Sequence, residues 1–258
     1  MVFALLKYGL GVGRFERQFP AEGPLKPSYD VVIIGGGGHG AATAYYLARD
    51  YGITDVAIIE KGYLGGGNTG RNTTIIRSNY LTPEGVKFYD ESLTLWKDLA
   101  NDFDMNIMYS ERGHFTLAHT DAAIRTSRWR AEVNKHLGVN SELVFRDDIA
   151  RICPGLNMSE EVRYPILGAL YHPPGAIARH DAVAWGYARG ATMRGVELHQ
   201  ATEVTGIARA NGKAVGVETT RGPVKAGKII QCVAGMSSVV AGMAGINSRS
   251  APFHCRPA

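Results

Sequence analysis

The chain has 258 residues, 45% of them hydrophobic and 20% charged, enough to bury one sizeable core or a core and a half. Its net charge of +4 is spread without a basic run, which excludes a nucleic-acid-binding face, and no apolar run of about eighteen residues is present to span a membrane. Cys153, Cys232 and Cys255 lie far apart without C-x-x-C spacing, which points to a reducing, cytoplasmic setting and to no metal site.

Met1–Phe19 carries scattered apolar residues (Phe3, Leu5, Leu6, Leu10, Phe15) broken by Lys7, without the continuous apolar core or cleavage site of a signal peptide. It reads as a frayed arm, or as a segment lying along a partner subunit or a membrane surface. Pro20–Pro27, with three prolines, is a linker. Asp30–Ile34 is an apolar, β-branched run suited to a buried parallel strand, and Ala41–Arg49 has helical composition. Between them Gly35, Gly37 and Gly40 stand at G-x-G-x-x-G spacing: the first for a tight turn, the second for backbone approach to a pyrophosphate, the third for close packing of helix on strand. A phosphate then meets the free N–H groups of a helix N-terminus.

Val56–Ile59 is a second apolar strand ending in Glu60, twenty residues after Gly40, where a carboxylate hydrogen-bonds the ribose hydroxyls of an adenosine. The bland alternative is a strand-turn-helix without a ligand and a Glu60 facing solvent. Strand, glycines, helix, strand and Glu in register favour the ADP half of a dinucleotide. Lys61–Thr74, rich in Gly, Asn and Thr, follows as a loop suited to wrapping an extended ligand, or else as a long mobile connection.

Glu84–Leu99, after Pro83, reads as an amphipathic helix with Val86, Tyr89, Leu93 and Trp96 on one face. His114–His119 reads as a strand, Ala122–His136 as a charged helix, and Asp147–Ile152 as a short helix stopped by Pro154-Gly155. Tyr164–Pro174 is extended and turn-rich. Ile177–Asp181 then opens a helix over Ala182–Arg194, and strands are expected at Glu197–Val204, Gly206–Ala210, Ala214–Thr220 and Val224–Val233, with Asn211-Gly212 as a hairpin turn. A small-residue helix follows Ala234.

Three stretches together carry a resemblance: Tyr29–Gly40 with Glu60-Lys61-Gly62; Gly66-Gly67-Asn68 with Arg71–Tyr80; and Ala178–Trp185. They resemble the beta-subunit family of heterotetrameric sarcosine oxidases, related to amine-oxidising flavoproteins of the glycine oxidase and D-amino-acid oxidase type, over roughly Ser28–Gly245. The resemblance implies noncovalent FAD held by Gly35, Gly36, Gly37, Gly38, His39 and Gly40, by Glu60 and Lys61, by Asn68, Thr69, Arg71, Thr73, Thr74 and Ile75, and by the backbone of Val204. It implies FMN linked covalently to His180 at the interface with an alpha subunit; the attachment chemistry needs a neutral imidazole nitrogen, whose tautomer a nearby carboxylate such as Asp181 is expected to set. His172 lies nearby but outside the matching motif. No catalytic residue is assigned.

The implied reaction is oxidative demethylation of sarcosine to glycine, formaldehyde and hydrogen peroxide, in a complex with alpha, gamma and delta subunits, with tetrahydrofolate as a further candidate ligand. The alternatives are a related dehydrogenase of dimethylglycine or proline, or a non-catalytic FAD-binding subunit. The expected fold is α/β: a Rossmann-like FAD-binding domain of glutathione-reductase type (28–110 and 163–245) with an inserted, incomplete substrate-side β-sheet region (111–162). It is flanked by the arm and linker (1–27) and an irregular tail (246–258). The last thirteen residues do not resemble the family's continuation, so the expectation is a fragment that is inactive alone.

Overall fold

A computed structural model describes residues 22–247, together with Phe3 and Leu10. The arm read over Met1–Phe19 and the tail at 246–258 therefore lie outside the described residues, save Phe3, Leu10, Ile246 and Asn247. The chain forms two compact units: one runs up to Asn72 and resumes at Val183, and the other spans Thr73–Ala182.

The first unit is built on β1 (Ser28–Ile34), whose Val32 and Ile33 are wholly buried. β1 is flanked by parallel partners, β12 (Gly222–Gln231) on one side and β2 (Val56–Ile59) on the other, and its part between both, Val31–Ile34, is buried on both faces and apolar throughout. The sheet continues from β2 to β9 (Glu197–His199) in parallel, and from β12 to β11 (Lys213–Thr219) and β10 (Val204–Ala210) as an antiparallel meander. Its order is β10-β11-β12-β1-β2-β9.

Helix α1 (Gly38–Tyr51) connects β1 to β2 and buries Ala41, Ala44, Tyr45 and Ala48, spaced i, i+3, i+4, i+7 on one face. Gly52, at φ 66°, ends it in the left-handed conformation that a residue without Cβ adopts freely. The single strand expected over Glu197–Val204 is two. β9 stops at His199, Ala201 takes a positive φ of 47°, and Val204 opens β10 at the opposite edge of the sheet. Composition carried no break here, because the turn is imposed by hydrogen bonds to Glu60 and Gly62 rather than by Gly or Pro.

The second unit holds two three-stranded antiparallel sheets. One has the order β3 (Ile75–Ile76), β8 (Ala176–Ile177), β4 (Ser110–Glu111), and the other β5 (His114–Ala118), β7 (Gly168–His172), β6 (Glu142–Phe145). The middle of the stretch read as extended and turn-rich, Gly168–His172, is thus the central strand of a sheet, with Ala169 and Leu170 wholly buried. Helix α2 (Pro83–Phe103) starts with Thr82 accepting the Gly85 N–H and proline in its first turn. Val86 and Leu93 are buried as expected, and the buried stripe then continues through Leu99 and Phe103, while Tyr89 stays 38% exposed and stacks on Tyr80. Helix α3 (Asp121–His136), capped by Thr120, packs on the β5-β7-β6 sheet, and α4 (Arg146–Ile152) packs Ile149 against Val144, Ile166 and Ala169. Helix α5 (His180–Thr192) passes from the second unit back to the first, and α6 (Ser237–Met243) closes the described chain.

Candidate cofactor site

In the first unit, Ile34, Ile59 and His199 pair in register, so β1, β2 and β9 end side by side and Gly35, Glu60 and Gln200 leave from one carboxyl edge of the parallel strands. In open α/β sheets this edge is where ligands bind. Gly35 turns at φ 106° with its N–H on the Ile59 carbonyl, and an added Cβ would stand 2.5 Å from the Cys232 carbonyl oxygen. At Gly40 a Cβ would stand 1.9 Å from the Gly35 oxygen, so helix and turn close together only on glycine. Gly37 differs: its φ of −80° suits any residue, and a Cβ there meets only Thr69 Oγ1, at 3.2 Å.

Glu60 is fixed at both ends. Its N–H donates to the His199 carbonyl and its own carbonyl accepts the Thr202 N–H, while Oε2 accepts the Gly36 N–H at 2.7 Å and Oε1 the Gly62 N–H at 2.8 Å. The carboxylate is thereby held against the glycine turn. Helix α1 has no side-chain cap of its own; Thr69 Oγ1, from the loop, accepts the Gly38 N–H at 2.8 Å. The N–H groups of His39 and Gly40 have no partner among the described residues, as expected of a first helical turn that is open to an anion. Asn68, Thr69 and Arg71 form a short 3-10 turn, tied back by Gly70 N–H on the Gly65 carbonyl and Gly65 N–H on the Gly36 carbonyl. Lys61, Asn68 and Arg71 are exposed. The loop is therefore a built wall of the glycine turn rather than a loose connection.

Val204 stands two residues beyond Thr202, with its side chain buried in the core of this unit. Sequence reasoning missed Gln200, whose Oε1 accepts the Leu64 N–H at 2.7 Å and so joins β9 to the loop. No sequence signal marks it, because the contact spans 136 residues. Glycines that exclude Cβ, an open helix N-terminus and an anchored carboxylate are the donor and acceptor set that a dinucleotide's pyrophosphate and ribose require, so these residues fit FAD.

In the second unit, Thr73 is exposed, Thr74 takes φ 61°, and Ile75, 49% exposed, pairs with the equally open Ile177. His180 begins α5 with Nδ1 buried and without a hydrogen-bond partner. The expectation that Asp181 sets its tautomer fails. Asp181 lies 3.9 Å from that nitrogen, and its two oxygens take Arg179 Nε at 2.9 Å and Nη2 at 2.7 Å, which lowers its pKa to about 2. His180 Nδ1 thus has no hydrogen-bond partner among the described residues, and the nearest carboxylate oxygen is turned to Arg179. His172 is the opposite case: wholly buried, with Nδ1 2.7 Å from the Asn140 carbonyl and Nε2 accepting the Ser78 N–H at 3.3 Å. Burial pushes its pKa down, and the ring is a neutral structural bridge.

Arg77, within the resembling stretch but given no role by it, donates from Nη1 to Asn79 Oδ1 at 3.0 Å and lies 4.6 Å over the Tyr80 ring. Among the described residues it has no carboxylate within ion-pair distance. The only signal in sequence was a basic residue directly after the apolar pair Ile75-Ile76.

The model of the FAD dependent oxidoreductase family matches residues 30–257. The chain belongs to this family. Sarcosine oxidase subunit beta from Arthrobacter sp. is 51% identical over 220 residues, covering 85% of this chain and 54% of that protein. The Rhizobium meliloti protein of the same name is 52% identical over 221 residues, covering 86% and 53%. The crystal structure of L-proline dehydrogenase from P. horikoshii superposes with a TM-score of 0.80 at 28% identity, covering 87% of this chain and 58% of that one. The chain spans about half the length of the curated relatives it matches.

Proposed function

We propose that this chain belongs to a sarcosine-oxidising flavoprotein of the beta-subunit type, with FAD bound at the Gly35–Gly40 turn. The observation that carries the reading is Glu60, whose carboxylate is seated on the Gly36 and Gly62 N–H groups at the carboxyl edge of β1 and β2, in a chain about half identical to sarcosine oxidase beta subunits. The identity to dimethylglycine dehydrogenases is lower, 26% for the rat protein, and that to L-proline dehydrogenase is 28%, so those substrates rank second.

The residues divide the work as follows. Gly37, His39 and Gly40 offer N–H groups to the pyrophosphate, Gly35, Gly36 and Gly38, the last with its N–H held by Thr69 Oγ1, shape the turn beneath it, Glu60 turns to the ribose hydroxyls, and Lys61 and Val204 flank the adenosine. Asn68, Thr69, Arg71, Thr73, Thr74 and Ile75 serve the flavin side, and His180 is the attachment point for FMN. When bound, FAD supplies the acceptor for the two electrons of amine oxidation, and FMN supplies the station from which they pass to oxygen. Arg77 is a partly buried guanidinium with no carboxylate within ion-pair distance among the described residues, and the carboxylate that every amino-acid substrate carries is its fitting partner. The complex contains alpha, gamma and delta subunits, with tetrahydrofolate as a further ligand, in the cytoplasm. The test is anaerobic titration of the flavin-loaded protein with sarcosine, dimethylglycine and proline. Bleaching of the flavin by sarcosine at the lowest concentration is expected, and bleaching by proline alone would replace the substrate assignment.

A further inference from the structure

Beside Arg77, the second unit contains another partly buried guanidinium with no carboxylate within ion-pair distance among the described residues. Arg130, on α3, donates from Nη2 to the main-chain carbonyl of Asn79 at 3.4 Å, and its Nε is buried without an acceptor. Asn79 is wholly buried. Its Oδ1 takes Arg77 and its carbonyl takes Arg130, while its Nδ2 has no partner. Asn134, also wholly buried, donates to the Tyr80 carbonyl at 2.7 Å and so pins the same segment to α3, and Tyr80 stacks on Tyr89 with ring centres 3.9 Å apart. His114 and His172 complete the surroundings; burial and Arg77 lower the pKa of both and keep the imidazoles neutral. Burial and the field of Arg77 likewise push Arg130 below the usual guanidinium range. Asp90 and Glu111 act on this region only at longer range, through His172, and Glu111 is paired with Lys97 at 3.4 Å.

Two nearby cations, partly buried and without a counter-ion among the described residues, are a cost of folding that a bound anion offsets. We propose that Asn79 and Arg130 are positioning residues for Arg77: Asn79 fixes the direction of its guanidinium, and the charge of Arg130 strengthens its hold on a substrate carboxylate. This rests on the reading of Arg77 given above. Arg130 itself touches no substrate. It acts through the potential at Arg77 and through the shared Asn79, so its effect falls on charged ligands alone.

The full 258-residue chain, labelled with 15N, is titrated at low salt with methoxyacetate, which keeps the carboxylate of sarcosine, and with uncharged methoxyacetamide, following the arginine Nε–H signals. Methoxyacetate is expected to shift the Arg77 and Arg130 signals with one midpoint. Arg77→Gln should abolish the response, Arg130→Gln should weaken methoxyacetate about five- to tenfold while leaving methoxyacetamide unchanged, and Arg130→Lys should recover most of the loss. An unchanged midpoint in Arg130→Gln with loss in Arg77→Gln overturns this inference and leaves the Arg77 reading standing. Equal loss for both ligands assigns Arg130 a structural role and also overturns it. No response in the unsubstituted chain removes both readings. If Arg130→Gln does not fold, the unsubstituted chain and Arg130→Lys decide, since an Arg130 signal that stays still while Arg77 moves is incompatible with coupling.

Discussion

Three glycines of one motif do different physical work, and substitutions separate them. Gly35 and Gly40 are demanded by the fold, one by a φ of 106° and the other by a carbonyl oxygen 1.9 Å from where its Cβ would be. Gly37 has an ordinary φ of −80°, and a Cβ there would press only on the Thr69 side chain, at 3.2 Å, which can turn aside, so Gly37→Val is expected to fold and to lose FAD, because the new side chain occupies the approach to the pyrophosphate. Circular dichroism with a flavin absorption spectrum checks this; a folded variant retaining flavin would move the cofactor elsewhere. His180 and His172 are separated in the same way. In the hetero-oligomer proposed above, His180→Ala should leave FAD bound and remove acid-stable flavin from the peptide Ile177–Arg189, as read by mass spectrometry. A label on His172 would contradict the wholly buried bridge it makes between Asn140 and Ser78.

At the scale of elements, that bridge ties β7 to the segments before α2 and before β6, and its energy depends on a neutral ring. The pKa of His172 is lowered on folding, so the unfolded chain binds the proton more readily. Its contribution to stability is present above the unfolded value of about 6.5 and is lost as pH falls below it toward the folded value. His114, at the start of β5, is shifted the same way by burial and adds to the slope. Thermal midpoints measured from pH 7 to pH 5 should therefore fall, and His172→Gln should show a shallower fall from a lower starting point. A pH-independent midpoint in the unsubstituted chain would show that the rings are not buried neutral. The break between β9 and β10 offers a second check, since Ala201 holds φ 47°. Ala201→Gly relieves a left-handed strain of about 1–2 kcal/mol against a glycine entropy cost of about 0.5–1 kcal/mol, so the variant should melt at the same temperature or slightly higher.

For the molecule as a whole, the two units give the FAD assignment a spatial test. Ligand binding to the folded state adds about 2.7 kcal/mol of stability at a hundredfold excess over Kd. Hydrogen exchange with and without FAD should show the largest protection at Gly35–Gly40, Glu60–Arg71 and Gln200–Val204, where the donors and acceptors assigned to it converge. Protection confined to Thr73–Ala182 would place the ligand in the other unit.

What the sequence determined by itself was local. A β-branched run, glycines at fixed spacing and a helix of small residues specify β1, the turn and α1, because strand propensity, the absence of Cβ and helical periodicity act within a few residues. Most helices were legible from the same periodicity, as Asp121–His136 and Arg146–Ile152 show. Tertiary structure decided the rest. It placed Thr69 rather than a local residue as the acceptor for the Gly38 N–H, directed both Asp181 oxygens to Arg179 instead of His180, made Gly168–His172 a central strand, and split Glu197–Val204 by hydrogen bonds to Glu60 and Gly62. Each is a choice among partners distant in sequence or among rotamers of one side chain, fixed by which groups burial leaves unsatisfied, and no local pattern encodes that outcome.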